Sequence, residues 1–333
     1  MRFFNILLMF FLLSIGTYAN ACPSSKIAAW YVSSSTDIDI LENKQFNLFF
    51  FNDANYEKWS VVRRNNEIQK AINSLNACSQ IILPIDNFLT KSWFANDGME
   101  NFMKQWGEHP KVYGFLLKDD VLIESFPDAN NVNPNALWVY RWYYKMIRNQ
   151  AEINNGYNKD LAPGKKIFVT IPFHPQARNN VNEFNFFISS NYNLPPDFLT
   201  PGNAWDVAIT YWYPYRQGMS RSEELHHMNE LHRQMKRFVP DEARMALIQV
   251  ASEPQNRNDA LKEEYDLSIQ YTSLIDQGVI NGNNKWVGYF AANGHAGSNN
   301  SLLWKNYRRI TDDSNIYLRE SGKLNYCHTI GFR

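Results

Sequence analysis

A single (β/α)8 barrel, the TIM-barrel form of the α/β class, is the fold the sequence predicts, on three observations. Apolar, β-branched or aromatic runs of strand length recur eight times, and most of the stretches between them carry helical periodicity. The 333-residue chain also contains no internal repeat, low-complexity tract or linker that would divide it. A doubly wound sheet would normally place a Gly-rich phosphate loop after its first strand, whereas Val32 is followed by Ser33-Ser34-Ser35-Thr36.

Taken in order, the chain opens with Arg2, an apolar run over 6–15 and the small-residue site Ala19-Asn20-Ala21 before Cys22, the pattern of a secretory signal peptide. The run is shorter than the roughly 20 residues a spanning helix needs, and no later stretch is long and apolar enough, so no membrane span is expected. Residues 1–21 are therefore expected to be a signal peptide and 22–333 the barrel domain of a secreted or periplasmic protein.

The eight strand-like runs are 27–32, 46–51, 81–85, 112–117, 166–171, 206–211, 244–250 and 285–290. Between the second and third, residues 56–76 have helical periodicity, with Val61, Val62, Ile68, Ala71, Ile72 and Leu75 on one face and Arg63, Arg64, Glu67 and Lys70 mostly outside it. Asn133-Pro134 opens a helix running to about 153, with Pro where a missing N–H costs least. A capping box, Ser220-x-x-Glu223, starts a helix to 238 that Pro240 ends, and a further helix over 258–276 is closed by Gly278. The connections 33–45 and 91–107 are shorter and less clearly periodic.

Three cysteines remain after cleavage: Cys22, Cys78 and Cys327. In an oxidising compartment the odd number leaves several arrangements open. One thiol stays free, or Cys22 carries a lipid as the first residue of a bacterial lipoprotein while Cys78 pairs with Cys327, or Cys22 pairs with Cys327 and ties the termini together. None lies in a Cys-x-x-Cys motif, which argues against a zinc site or thiol nucleophile.

Composition narrows the partners. Lys and Arg number 33 and Asp and Glu 33, so a phosphate-held nucleic-acid partner is not expected. Aromatic residues make up 15%, including 10 Trp and 18 Tyr, whose apolar faces and polar handles suit stacking on sugars. His226, His227 and His232 are close in sequence, but no two are three or four residues apart, so they do not share a helical face and read as solvated.

In a barrel of this class the chemistry sits at the C-terminal strand ends, so those ends supply the candidates. The second strand ends at Asn52-Asp53, the third at Asp86-Asn87, the fourth at Asp119-Asp120 and the fifth at Pro172-Phe173-His174. Then come Trp212-Tyr213-Pro214-Tyr215, Ser252-Glu253-Pro254 and Asn293-Gly294-His295. The fourth and seventh strands lie roughly across the barrel and each presents a carboxyl group. Glycosidic bond cleavage uses such a pair, one acid to protonate the leaving oxygen and one carboxylate to attack or to activate water. The plainer readings are a helix cap or surface turn for Asp119 and Asp120, pairing with Arg257 for Glu253, and packing for the aromatic cluster.

Strand alternation selects between the two aspartates. Gly114, Leu116, Lys118 and Asp120 form one set, and the small Gly suits a crowded lumen; Phe115, Leu117 and Asp119 form the other. Asp120 is thus the expected lumen-side acid, with Asp119 second. On strand seven, Gln249, Ala251 and Glu253 share a face that the polar Gln marks as inward.

The stretch Gly114-Phe115-Leu116-Leu117-Lys118-Asp119-Asp120 resembles the strand-four ending Gly-Phe-Tyr-Leu-x-Asp-Glu-Pro found in glycosidase-like barrels, with Asp120 in the place of Glu. The chain is similar to the glycoside hydrolase barrels, closest to the clan that carries its acid/base on strand four and its nucleophile on strand seven. The resemblance implies an exported glycosidase cleaving an oligo- or polysaccharide without a cofactor, with Asp120 as acid/base and Glu253 as nucleophile or second base. Trp212, Tyr213, Tyr215, His174, Asp53, Asp86 and His295 would line the carbohydrate site, with no metal. A monomer is expected. Two alternatives stand beside it. One is a barrel that binds glycans without cutting them. The other is a metal-dependent hydrolase, with Asp53, Asp86, Asp120, Glu253 and a His as ligands.

Overall fold

A computed structural model of the chain describes residues 22, 26–32, 35–42, 46–51, 59–85, 97–118, 134–150, 159–172, 201–211, 244–249 and 286–290. Its strands are β1 (Lys26–Val32), β2 (Leu48–Phe51), β3 (Gln80–Pro84), β4 (Val112–Lys118), β5 (Lys166–Pro172), β6 (Val207–Tyr211), β7 (Arg244–Gln249) and β8 (Trp286–Phe290). Each pairs in parallel with the next, and β8 pairs with β1. The described helices are α1 (Ser35–Glu42), α2 (Val61–Ser74), α3 (Asp97–Trp106) and α4 (Pro134–Ile147). The helices expected over 220–238 and 258–276 lie outside the described residues.

Two side-chain series run along the strands, as the period of two requires. Ala28, Trp30, Leu48, Phe50, Ile82, Leu116, Phe168, Val207 and Ile209 form one buried cluster. Within it Phe50 of β2 meets Phe168 of β5, two strands that are not neighbours in the sheet, at 5.6 Å and 82°. Only residues pointing into the lumen can meet in this way, so this series fills the barrel interior. Burying a Phe of this kind is worth about 2–3 kcal/mol. The opposite series faces the helices: Phe115 of β4 packs edge-on against Phe102 of α3 at 6.4 Å and 70°.

The helices bury the stripes their sequence spacing sets. In α3, Met99, Phe102, Met103 and Trp106 are buried at helical spacing. In α2, Ser60 caps the N-terminus by accepting from the Arg63 N–H at 3.2 Å. The buried face of α2 is Arg64, Ile68, Ala71 and Ile72, whereas Val61 and Val62 are 64% and 70% exposed. The buried face is thus rotated at its first turn from the one that apolar spacing predicts. Arg64 takes the position i−4 from Ile68, and the valines at i−7 and i−6 are left outside the buried face.

At the N-terminal end of the barrel a polar network ties α4 to β5 and β6. Arg148, just past α4, forms a close ion pair with Asp206 and a second with Asp160 at 3.1 Å. It also donates to the Ala162 and Lys165 carbonyls at 2.9 and 2.6 Å. Asp206 accepts the Ile167 N–H at 2.8 Å and the Tyr144 hydroxyl at 2.7 Å. Burial, then the Asp206 charge, pushes the Tyr144 hydroxyl well above its ordinary value, so it stays a donor.

Cys22 and Cys78 form a disulfide with a Cα–Cα distance of 5.1 Å. Of the arrangements the sequence left open, it agrees with the first, one pair with a single cysteine left over, and with neither of the two pairings that involve Cys327. It occupies both sulfurs, so it is incompatible with lipid on Cys22 and with Cys327 pairing to either partner. The bridge clips the segment before β1 to the turn before β3, across a sequence separation of 56. On the chain-entropy argument a loop of that size contributes about 4 kcal/mol. Cys78→Ser is accordingly expected to lower the urea midpoint with little change in slope, by an amount equal to about 2–4 kcal/mol. Reductant should do the same to the wild type and nothing further to the variant.

Candidate functional site

Because every strand pair is parallel, the last residues of the strands, Val32, Phe51, Pro84, Lys118, Pro172, Tyr211, Gln249 and Phe290, stand at one end of the barrel. The residues singled out from the sequence come after those ends. Asp119 and Asp120 come directly after β4 and Trp212 and Tyr213 directly after β6, with Tyr215 close behind. Asp53, Asp86 and His174 come two residues after β2, β3 and β5; Glu253 comes four after β7 and His295 five after β8. All ten lie outside the described residues.

The described residues form the platform beneath that rim. Trp30 stacks on Phe50 at 4.1 Å, and with Phe168, Leu116 and Ile209 these side chains close the lumen with apolar bulk. Above Phe168 on β5 lies Thr170, fully buried, paired in register with Ile209. On β7 and β8 the register sets Gln249 opposite Phe290 and Leu247 opposite Gly288, which in turn pairs with Ala28 of the lumen series. By register Leu247 thus stands level with Gly288 and, through it, with Ala28.

On β4 the expected alternation holds at first. Leu116 belongs to the lumen cluster, and Phe115 faces α3. Gly114 is required by close approach: a Cβ there would lie 2.2 Å from the Lys166 carbonyl oxygen and 2.8 Å from Cε2 of Phe168. Gly114→Ala should therefore displace β5 and destabilise the fold by about 3 kcal/mol, read as a lower denaturation midpoint. An unchanged midpoint would contradict this packing.

Past Leu116 the alternation breaks. Leu116 pairs with Phe168, but Lys118 pairs with Val169, so β4 spends two residues against one on β5. Such a bulge re-aims the side chains beyond it and is common at barrel rims. The Cα pairing with β5 thus shifts by one residue between Leu116 and Lys118.

Sequence patterns give no signal for Lys26, whose Nζ donates to Gln80 at 3.0 Å and lies 5.4 Å from the Tyr113 ring. Burial lowers its pKa. Lys26 is the first residue of β1, at the barrel end opposite the rim, and so forms no part of the candidate site. Among the described residues no group of three or more His, Cys, Asp or Glu is placed to hold a metal, and no helix is long and apolar enough to cross a membrane.

No family model and no curated protein matches the chain. Among solved structures it is similar to GH5_18 from Streptomyces cattleya in complex with Manb1-4GlcNAc, at a TM-score of 0.50 and 10% identity, covering 90% of this chain and 76% of that one. A GH5-4 broad specificity endoglucanase from an uncultured bacterium gives 0.49 and 12%, covering 84% and 85%. The family 1 b-glucosidase from Thermotoga maritima gives 0.43 and 12%, covering 77% and 76%. At these identities the likeness concerns the fold alone, and the chain has the α/β, parallel-sheet fold of the glycoside hydrolase barrels.

Proposed function

We propose that the chain is a complete (β/α)8 barrel, residues 22–333, exported behind a signal peptide at 1–21, that hydrolyses an oligo- or polysaccharide with a pair of carboxyl groups. Asp120 or its neighbour Asp119 serves as acid/base and Glu253 as nucleophile or second base. The acid gives its proton to the glycosidic oxygen as the C–O bond breaks, while the carboxylate attacks the anomeric carbon or takes a proton from the attacking water. Trp212, Tyr213 and Tyr215 stack on sugar rings, and His174, Asp53, Asp86 and His295 hydrogen-bond hydroxyls.

The observation that carries this reading is the parallel strand circuit, in which β4 and β7 end on the same rim with an acid one or two residues beyond the first and four beyond the second. The apolar platform below supports it, since charge developing above a water-poor floor is stabilised by fixed groups more strongly than in bulk solvent.

The test is product formation. The purified mature protein is incubated with a panel of glucans, mannans, xyloglucan and Manβ1-4GlcNAc, and new reducing ends are measured. Hydrolysis that survives chelation supports the proposal. Glycan binding without product on prolonged incubation would favour a non-catalytic barrel, and activity abolished by chelation a metal-dependent hydrolase.

A further inference from the structure

We infer that the turn from Gly107 to Lys111 is an acid-released clasp, closed while the His109 imidazole is neutral and opened when it takes a proton. The turn joins α3 to β4 at the barrel end opposite the rim. His109 fastens it to both elements: its N–H donates to the Trp106 carbonyl at 3.1 Å, and its carbonyl accepts the Val112 N–H at 3.0 Å. The same carbonyl accepts from Lys165 Nζ, just before β5, at 2.8 Å, and that Nζ also donates to the Val112 carbonyl at 2.7 Å. From β3, Gln80 Nε2 donates to the Pro110 carbonyl at 3.3 Å and the Ile81 N–H to the Lys111 carbonyl at 2.9 Å. One short turn thus holds α3, β3, β4 and the lead into β5 together.

One further bond makes the turn sensitive to acid: His109 Nδ1 accepts the Lys111 N–H at 3.2 Å. A backbone amide can only donate, so Nδ1 must carry no proton for this bond to exist. Protonation sets one N–H against another and adds a positive charge beside Lys165 and Lys111. From α3 the last-turn charge is Lys104, of the same sign. The acidic neighbour Glu108 pairs with Lys159 at 3.6 Å. Burial first, then the charges of Lys165 and Lys111, holds the His109 pKa below its ordinary value. A histidine lowered in this way takes its proton more readily once the turn is open. The closed turn is therefore at full strength above the ordinary histidine value of about 6.5, and it weakens as pH falls from there toward the lower folded value.

Two NMR measurements on the full mature chain test this, and neither depends on glycan hydrolysis. The first is amide hydrogen exchange at about pH 7.5 and about pH 5, which bracket an ordinary histidine. Protection of the Lys111 amide, corrected for its intrinsic exchange rate, should fall at least about threefold at the lower pH in the wild type. In His109→Asn, whose Oδ1 can accept the same N–H without titrating in this range, protection should stay level. Unchanged protection in the wild type, or an equal fall in the variant, overturns the inference. The second measurement needs no variant: the His109 ring is titrated in the folded wild type. Its midpoint should lie below the ordinary histidine value, and a midpoint at or above that value overturns the inference.

Discussion

Glu253→Gln is expected to lower glycan hydrolysis by about a thousandfold or more while leaving glycan affinity within a few-fold of wild type. The substitution keeps the volume and removes only the negative charge. A nucleophile or base acts in the transition state, so its loss lowers kcat and kcat/KM together and leaves KM nearly unchanged. A factor of a thousand corresponds to about 4 kcal/mol of transition-state stabilisation, within the span expected of a positioned acid or base. A residue that merely shaped the turn before Pro254 would behave differently, changing the denaturation midpoint and leaving turnover of the folded fraction intact. In Glu253→Ala, which leaves room for a small anion where the carboxylate stood, added azide should restore part of the lost rate if Glu253 is the nucleophile. Full activity in the Gln variant would remove Glu253 from the mechanism.

Asp206→Asn should destabilise the fold by about 3 kcal/mol, equivalent to a fall in Tm of roughly 5–10 °C. Asp206 accepts from Arg148, Tyr144 and the Ile167 N–H, and its side chain and that of Arg148 keep only 16% and 13% of their exposure. Removing one charge leaves the other in a poorly hydrated site, which costs more than the pair itself contributes. The expected loss lies at the low end for a buried pair because Asp160 still faces Arg148 at 3.1 Å. Replacing both partners by apolar residues, Arg148→Met with Asp206→Leu, should cost less than the sum of the single changes. A Tm within one degree of wild type for Asp206→Asn would show that the network adds nothing.

Much of the architecture was legible because its causes are local. Each strand carries an apolar run that a sheet covered on both faces demands, and all eight runs coincide with described strands to within two residues at each end. The stripe Met99, Phe102, Met103 and Trp106 is visible as spacing alone. Three features were not legible, and each depends on what the chain meets after it folds. The partner of Cys22 depends on which loop lies beside the first strand. Arg148 and Asp206 are 58 residues apart and meet only once β5 and β6 are aligned. The bulge at Leu117 leaves no mark in the sequence, because alternation is counted along one strand whereas a bulge is a mismatch between two.

The candidate site was legible as a list of residue types at the ends of strands. It was not legible as a geometry, because the strand-end residues are set by loops whose conformation no local pattern fixes. That is also why two adjacent acids are hard to rank from sequence. Parity along KVYGFLLKDD favours Asp120, and a mismatch between two strands, such as the one between Leu116 and Lys118, is invisible to that count.

The central claim is that a carboxyl group after β4 and the carboxyl group of Glu253 work on one glycosidic bond, and their separation tests it most directly. Measured crystallographically with a glycan bound, the two groups should stand about 5–5.5 Å apart for a retaining enzyme or about 6.5–9.5 Å apart for an inverting one. A separation beyond about 12 Å from both Asp119 and Asp120, outside either geometry, would contradict the account.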